Sequence, residues 1–210
     1  FGARYLDPML GLWISVDAKR QFSSPYLYAG NGVNPLSGVD GTGNKLIMAN
    51  GVSPEYRASV AQAIKYLNDH DASSEIAKLH AKEEIIVLKP GNPGESPFFD
   101  PNEKAIYWDP STGARTVLNE LISPALLLVH ETGHANQWID NPEEYTFMAN
   151  KVDHLRVDEI GVVSGNFFHS LEEERNVKNI EWPAAQKLGE PCRQVYYGDA
   201  IEVNPDEIYK

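Results

Sequence analysis

Apolar positions recur along most of the chain at helical or strand spacing, and they mark out its elements. Val60, Ile64 and Leu67 share one side of a segment opened by Ser53-Pro54-Glu55, which predicts a helix to about residue 68. A shorter helix is expected over 74–80. Strands are expected over 84–88 and 104–108, with the Pro/Gly-rich stretch 90–102 between them as a loop. The most apolar run, Ala125 to Val129, follows Ser123 as N-cap and Pro124 at the first helical position. It predicts a helix over 124–139, stopped by Asn141-Pro142. A further helix over 166–178 precedes Pro183-Ala184-Ala185, and a tail of short strands follows. Residues 1–44 have another texture: Gly, Pro, Asn, Ser and Tyr cluster with little helical periodicity, which reads as short strands and turns. The pattern as a whole is α+β, in two units, 1–44 and 45–210.

Composition narrows the possibilities. The 210 residues suffice for one ordinary domain plus an appendage, and 42% hydrophobic content suffices for a packed core. No apolar run approaches the ~20 residues of a membrane span, so no membrane partner is expected. A net charge of −12 argues against a nucleic-acid partner, because phosphate-binding surfaces carry basic patches. It fits a basic partner or substrate segment better. Cys192 is the only cysteine, so there is no disulfide framework, and folding in a reducing cytosol is chemically reasonable. The opening Phe1-Gly2-Ala3-Arg4 shows no secretory signal and reads as a cut from a longer polypeptide.

The predicted helix over 124–139 carries His130-Glu131-Thr132-Gly133-His134, an H-E-x-x-H pattern. Two histidines four residues apart leave one helix face a turn apart and can grip one Zn²⁺. Glu131 is rotated about 100° from His130, away from ligation and towards the place of a general base. Two histidines and a glutamate inside the most apolar run are costly to bury without a strong partner, and a metal is such a partner. A catalytic zinc normally takes a third protein ligand. Asp140, His154, His169 and the acidic run Glu172-Glu173-Glu174 all compete for that place, and periodicity does not choose among the three glutamates.

The first 40 residues resemble the end of the RHS-repeat-associated core. They read F-G-A-R-Y-x-D-P, then G-x-W-x-S-x-D, then Pro25-Tyr26-Leu27-Tyr28-Ala29-Gly30-Asn31. The stretch from Asn34-Pro35 to Asp40-Gly41 looks like the motif that closes this core, with Asp40-Gly41 in place of the family's usual Asp-Pro. The resemblance implies a β-strand shell enclosing a C-terminal toxin that begins near Asn44 or Lys45. It also implies a cognate immunity protein, and a secreted, delivered effector that acts in the cytoplasm of a target cell.

A second resemblance covers roughly residues 105–197. Together with H-E-x-x-H, the run E-E-x-R-x-V at Glu172-Glu173-Glu174-Arg175-Asn176-Val177 is similar to the second-helix motif of clostridial neurotoxin light chains and NleD-like effector peptidases. Asn176 stands where a threonine is often found. The similarity implies a zincin-like metallopeptidase, with an active-site helix and a second ligand helix beside a small sheet. It makes Glu173 the third zinc ligand, with Glu172 and Arg175 supporting the shell around it. Arg193-Gln194-Val195-Tyr196 fits the R-x-x-Y of the same families, which implies Arg193 and Tyr196 as donors to the oxyanion. Tyr197 is the fallback if the register differs by one. The expected activity is cleavage of a protein substrate by a glutamate-ligated zinc peptidase, with Glu131 as general base and the strand over 104–108 as the edge that pairs with substrate. Two alternatives belong to other classes. One is a non-catalytic, zinc-stabilised binding module. The other is a cysteine hydrolase built on Cys192.

Overall fold

The computed structural model describes residues 45–151, 168, 170–193 and 198–209, together with four short strands. The rest of the RHS-like stretch 1–44 lies outside the described residues, as do its closing motif, His154, His169, Tyr196 and Tyr197. Two of the short strands, β1 (Leu6–Asp7) and β2 (Leu12–Trp13), pair antiparallel within the region read as strands and turns.

Four strands form the first sheet: β3 (Leu46–Met48), β4 (Ile86–Pro90), β5 (Phe98–Asp100) and β6 (Ala105–Trp108). Their order is β3-β4-β6-β5. β3 and β6 run parallel to β4, and β5 is antiparallel to β6. Helices α1 (Pro54–Asp69) and α2 (Ser74–His80) connect β3 to β4. On β4 the buried Ile86 and Leu88 alternate with half-buried Val87 and Lys89, the two-residue period of a strand with one face on the core. β6 therefore lies in the interior of the sheet. The expectation that residues 104–108 form a substrate-pairing edge is corrected: Phe98–Asp100 from the Pro/Gly-rich stretch takes the outer position. That strand is short and flanked by Pro97 and Pro101, so it left no alternating pattern to read.

A second sheet joins β7 (Thr112–Thr116), β8 (Leu121–Ile122) and the C-terminal β11 (Gly198–Glu202) in the order β11-β7-β8, all antiparallel. Between the sheets and the remaining helices lies α3 (Pro124–Asp140), the predicted motif helix. Every residue from Pro124 to Asn136 is buried, so α3 is a central helix covered on all sides. Its start is fixed three ways. The Ser123 hydroxyl accepts from the Leu126 N–H at 3.1 Å, the Glu190 carboxylate accepts from the Ser123 N–H at 2.8 Å, and the fully buried Trp108 indole donates to the Pro124 carbonyl at 2.8 Å.

The stop at Asn141-Pro142 is also a start, because α4 (Pro142–Ala149) begins there with the Asn141 side chain as its cap. After the two-residue strands β9 (Arg156–Val157) and β10 (Val163–Ser164), one long helix follows. It comprises α5 (Leu171–Asn176), a π-helical turn (Val177–Glu181) and α6 (Trp182–Leu188). The sequence reading ended this helix near residue 178. The structure carries it through Pro183 because the ladder has already shifted, with the Trp182 N–H bonding to the Val177 carbonyl five residues back. Gly189, in the left-handed conformation, ends it. A final short helix, α7 (Pro205–Ile208), follows β11, and Tyr209 packs on Tyr66 of α1 at 4.8 Å between ring centroids. The architecture is mixed α+β. Among the described residues no helix is long and apolar enough to cross a membrane.

Candidate metal centre

α3 and α5 cross at Gly133. A β-carbon there would stand 2.3 Å from Asn176 Oδ1 and 2.9 Å from Ile180 Cδ1, so only glycine allows this approach. The crossing is stitched by Asn176, which is fully buried. Its amide donates to the His130 carbonyl at 2.9 Å, and its Oδ1 accepts from Gln137 at 2.9 Å. α5 is aimed by its own cap, since the buried Ser170 hydroxyl accepts from the Glu173 N–H at 3.1 Å. The result brings three side chains from two helices to one point.

His130 Nε2 and His134 Nε2 lie 2.9 Å apart, His130 Nε2 is 3.4 Å from Glu173 Oε1, and His134 Nε2 is 3.3 Å from Glu173 Oε2. All three residues are buried. A tetrahedral ion with bonds of about 2.0–2.2 Å holds its donor atoms about 3.3–3.6 Å apart; the two separations from Glu173 match this, and the two imidazole nitrogens stand closer. Glu173 Oε1 is buried without a hydrogen-bond partner, an arrangement that costs free energy unless a cation satisfies it. The cluster can therefore hold a metal ion. Of the competing third ligands, Asp140 ends α3 in an ion pair with Lys82, and Glu174 pairs outward with Lys178 at 2.5 Å.

Carboxylates also fix the far side of both rings. His134 Nδ1 is 2.9 Å from Glu172 Oε1, and His130 Nδ1 is 2.7 Å from Glu181 Oε2. His130 Nδ1 also lies 3.0 Å from an Arg193 terminal nitrogen, but the carboxylate is nearer; with a proton on each Nδ1 donated to its carboxylate, both Nε2 lone pairs face the shared point. Glu181 is fully buried and also holds Arg193, accepting from its Nε at 2.8 Å and from a terminal nitrogen. Arg193 in turn lies 3.8 Å from Glu173 Oε1. Its second terminal nitrogen has no hydrogen-bond partner among the described residues. Burial works against charge on Glu181, but Arg193 and His130 outweigh it and pull the carboxyl down to about 2.

Sequence reasoning did not find Glu181, and the reason is geometric. On a regular α-helix, eight residues after Glu173 falls about 80° around from it. The π turn rotates less per residue and returns Glu181 to the face of Glu173. Arg175, expected beside the ligand carboxylates, acts at one remove. It donates to Gln137, whose amide donates to Glu172 at 2.9 Å, and to Glu144 of α4 at 2.6 Å. It thus ties α3, α4 and α5 together.

Glu131 points into the same space, with Oε1 4.0 Å from His130 Nε2, and does not join the three converging atoms. Burial raises its pKa above the ordinary carboxylate value. The site opens into a cavity of about 280 Å³ whose walls include Phe98 and Phe99 of β5, Ala114 of β7, and Tyr145 of α4. Tyr145 gave no sequence signal because Asn141-Pro142 reads only as an ending. Its ring stands edge-on to both His134 and Phe99, 6.4 Å from each. Cys192 is half-buried, with Sγ 3.9 Å from the Trp182 carbonyl oxygen, and burial pushes its thiol up, the opposite of what a nucleophilic thiolate needs. Comparison of the chain with models of known families, with curated proteins and with solved structures finds no match.

Proposed function

We propose that this domain is zincin-like and that the chain is a zinc-dependent endopeptidase, the C-terminal toxin of an RHS-type protein. The observation that carries the reading is the convergence of His130, His134 and Glu173 beside a buried Glu131, at the floor of an open cavity. A nitrogen, nitrogen and carboxylate donor set of this spacing suits zinc. Bound there, zinc supplies a Lewis acid that polarises a carbonyl and makes water nucleophilic near neutral pH.

The chain's own residues supply the rest. Glu131 takes a proton at its carboxylate and returns it to the leaving amine, a role that its raised proton affinity favours. Glu172 and Glu181 hold the two imidazoles in the tautomer that presents Nε2. Arg193, clamped by Glu181, keeps a permanent cation beside the acidic cluster and offers its remaining terminal nitrogen to substrate oxygen. Tyr196 is proposed as its partner by the family pattern alone. The outer strand β5 gives an extended substrate a backbone to pair with at the cavity wall itself, which Phe98 and Phe99 line. A zinc-stabilised binding module fits less well, because structural zinc sites close with four protein ligands and among the described residues this cluster has three, beside an open cavity.

The RHS-like first 44 residues support delivery into a target cell, an enclosing RHS shell before release, and a cognate immunity protein. The test is mass spectrometry of new peptide termini in cells that express the protein, with Glu131→Gln as control. New termini and toxicity that vanish together in Glu131→Gln, while zinc remains bound, are expected. Equal toxicity from the Glu131→Gln protein would place the toxic activity elsewhere.

A further inference from the structure

Tyr145 occupies a position that packing alone does not explain. It lines the cavity between His134 and Phe99, so it stands between the metal cluster and the outer strand β5. Tyr145 is half-buried, and its hydroxyl makes no hydrogen bond to the described residues, so it can donate to a molecule in the cavity. The other side-chain hydroxyls on the described wall are those of Ser96 and Ser170, and Ser170 sits at the cap of α5, where it accepts from the Glu173 N–H.

Helix α4, which carries Tyr145, is tied to both ligand-bearing helices. Asn141 ends α3 and caps α4, accepting from the Glu144 N–H at 3.1 Å. Arg175 of α5 donates to the Glu144 carboxylate at 2.6 Å, one residue before the tyrosine. α4 is thereby docked on the two helices that carry the ligands, and the Tyr145 ring is set beside them, the positioning that a hydroxyl meeting a reacting atom requires.

We propose that Tyr145 is a catalytic residue, whose phenol O–H donates a hydrogen bond to the carbonyl oxygen of the scissile peptide as that oxygen gains negative charge. The assignment rests on the peptidase reading above. It needs no other reactant: the phenol keeps its proton throughout, and the negative charge on oxygen collapses when the amine leaves. Tyr145 and Arg193 line the same cavity, so a neutral donor from α4 and a cation from the segment after α6 are both available to the developing oxyanion.

The experiment uses the full chain loaded with zinc and a library of quenched fluorescent peptides, with Glu131→Gln as the blank. The best-cleaved peptide then serves to compare wild type with Tyr145→Phe, which keeps the ring packed on Phe99 and His134. Loss of one such donor lowers kcat by about 10²-fold or more with KM changed by less than about three-fold. Zinc stoichiometry and melting temperature stay as in wild type. Affinity for a phosphonate analogue of the same peptide falls with kcat, while affinity for the intact peptide, measured in the Glu131→Gln background, does not. Wild-type kcat in Tyr145→Phe overturns the assignment, as does a loss confined to KM or accompanied by loss of zinc or fold. A wild-type protein that cleaves no peptide, although zinc-loaded, sinks the peptidase reading and this assignment with it.

Discussion

Glu181 shows how much one carboxylate can organise. It is fully buried, yet it stays ionised because His130 and Arg193 both donate to it. Its removal would release the His130 ring from its tautomer and leave the Arg193 guanidinium buried without its partner. Glu181→Gln keeps the shape but weakens both contacts. Zinc affinity is expected to fall about 10–100-fold, as it does when an outer partner of a metal-bound histidine is lost. Competition with a chromogenic chelator measures this directly, and Glu174→Gln on the outward side of the same helix is the control. Affinity equal to wild type in Glu181→Gln would show that His130 is oriented by something else.

At the level of elements, the site depends on how closely two helices can cross. Gly133→Ala puts a methyl group into Asn176 Oδ1 and Ile180, so α5 and the π turn must move away from α3. Overpacking of this kind typically costs about 1–3 kcal/mol. Here it would also spread the donor atoms, so calorimetry should find a lowered melting temperature together with weakened zinc binding. Full zinc affinity in a destabilised Gly133→Ala protein would mean that ligand spacing does not depend on this crossing. The two helices differed in how far the sequence revealed them. α3 was legible because an apolar run with a good N-cap surrounds the motif, and His130, Glu131 and His134 then follow from helical spacing. Glu172 and Glu173 needed a family pattern to stand out among three neighbouring acids. Glu181 was not legible, because a π turn breaks the 100° rotation on which helical-face arguments rest. β5 was hidden by its prolines and by its length of three residues, and the wrong strand was assigned the edge in consequence.

For the whole molecule, the mixed α+β class and two of the four strands of the first sheet, β4 and β6, could be read from periodicity. Of the second sheet only the C-terminal strand fell in a stretch read as short strands; β7 did not, since Thr112–Thr116 contains Gly113 and Ala114, residues with little strand preference. Its C-terminal strand β11 pairs with β7, so the end of the chain completes the wall of the cavity: Ala200 of β11 lies beside Ala114 in register and both line it. The claim on which everything else depends is that these parts hold one ion at one point. Crystals grown with one equivalent of zinc, and diffraction data collected on both sides of the zinc absorption edge, test it most directly. The account predicts a single anomalous peak about 2.0–2.2 Å from His130 Nε2, His134 Nε2 and a Glu173 oxygen, with Glu131 outside bonding distance. A peak elsewhere, or the three side chains turned apart with no peak between them, would contradict it.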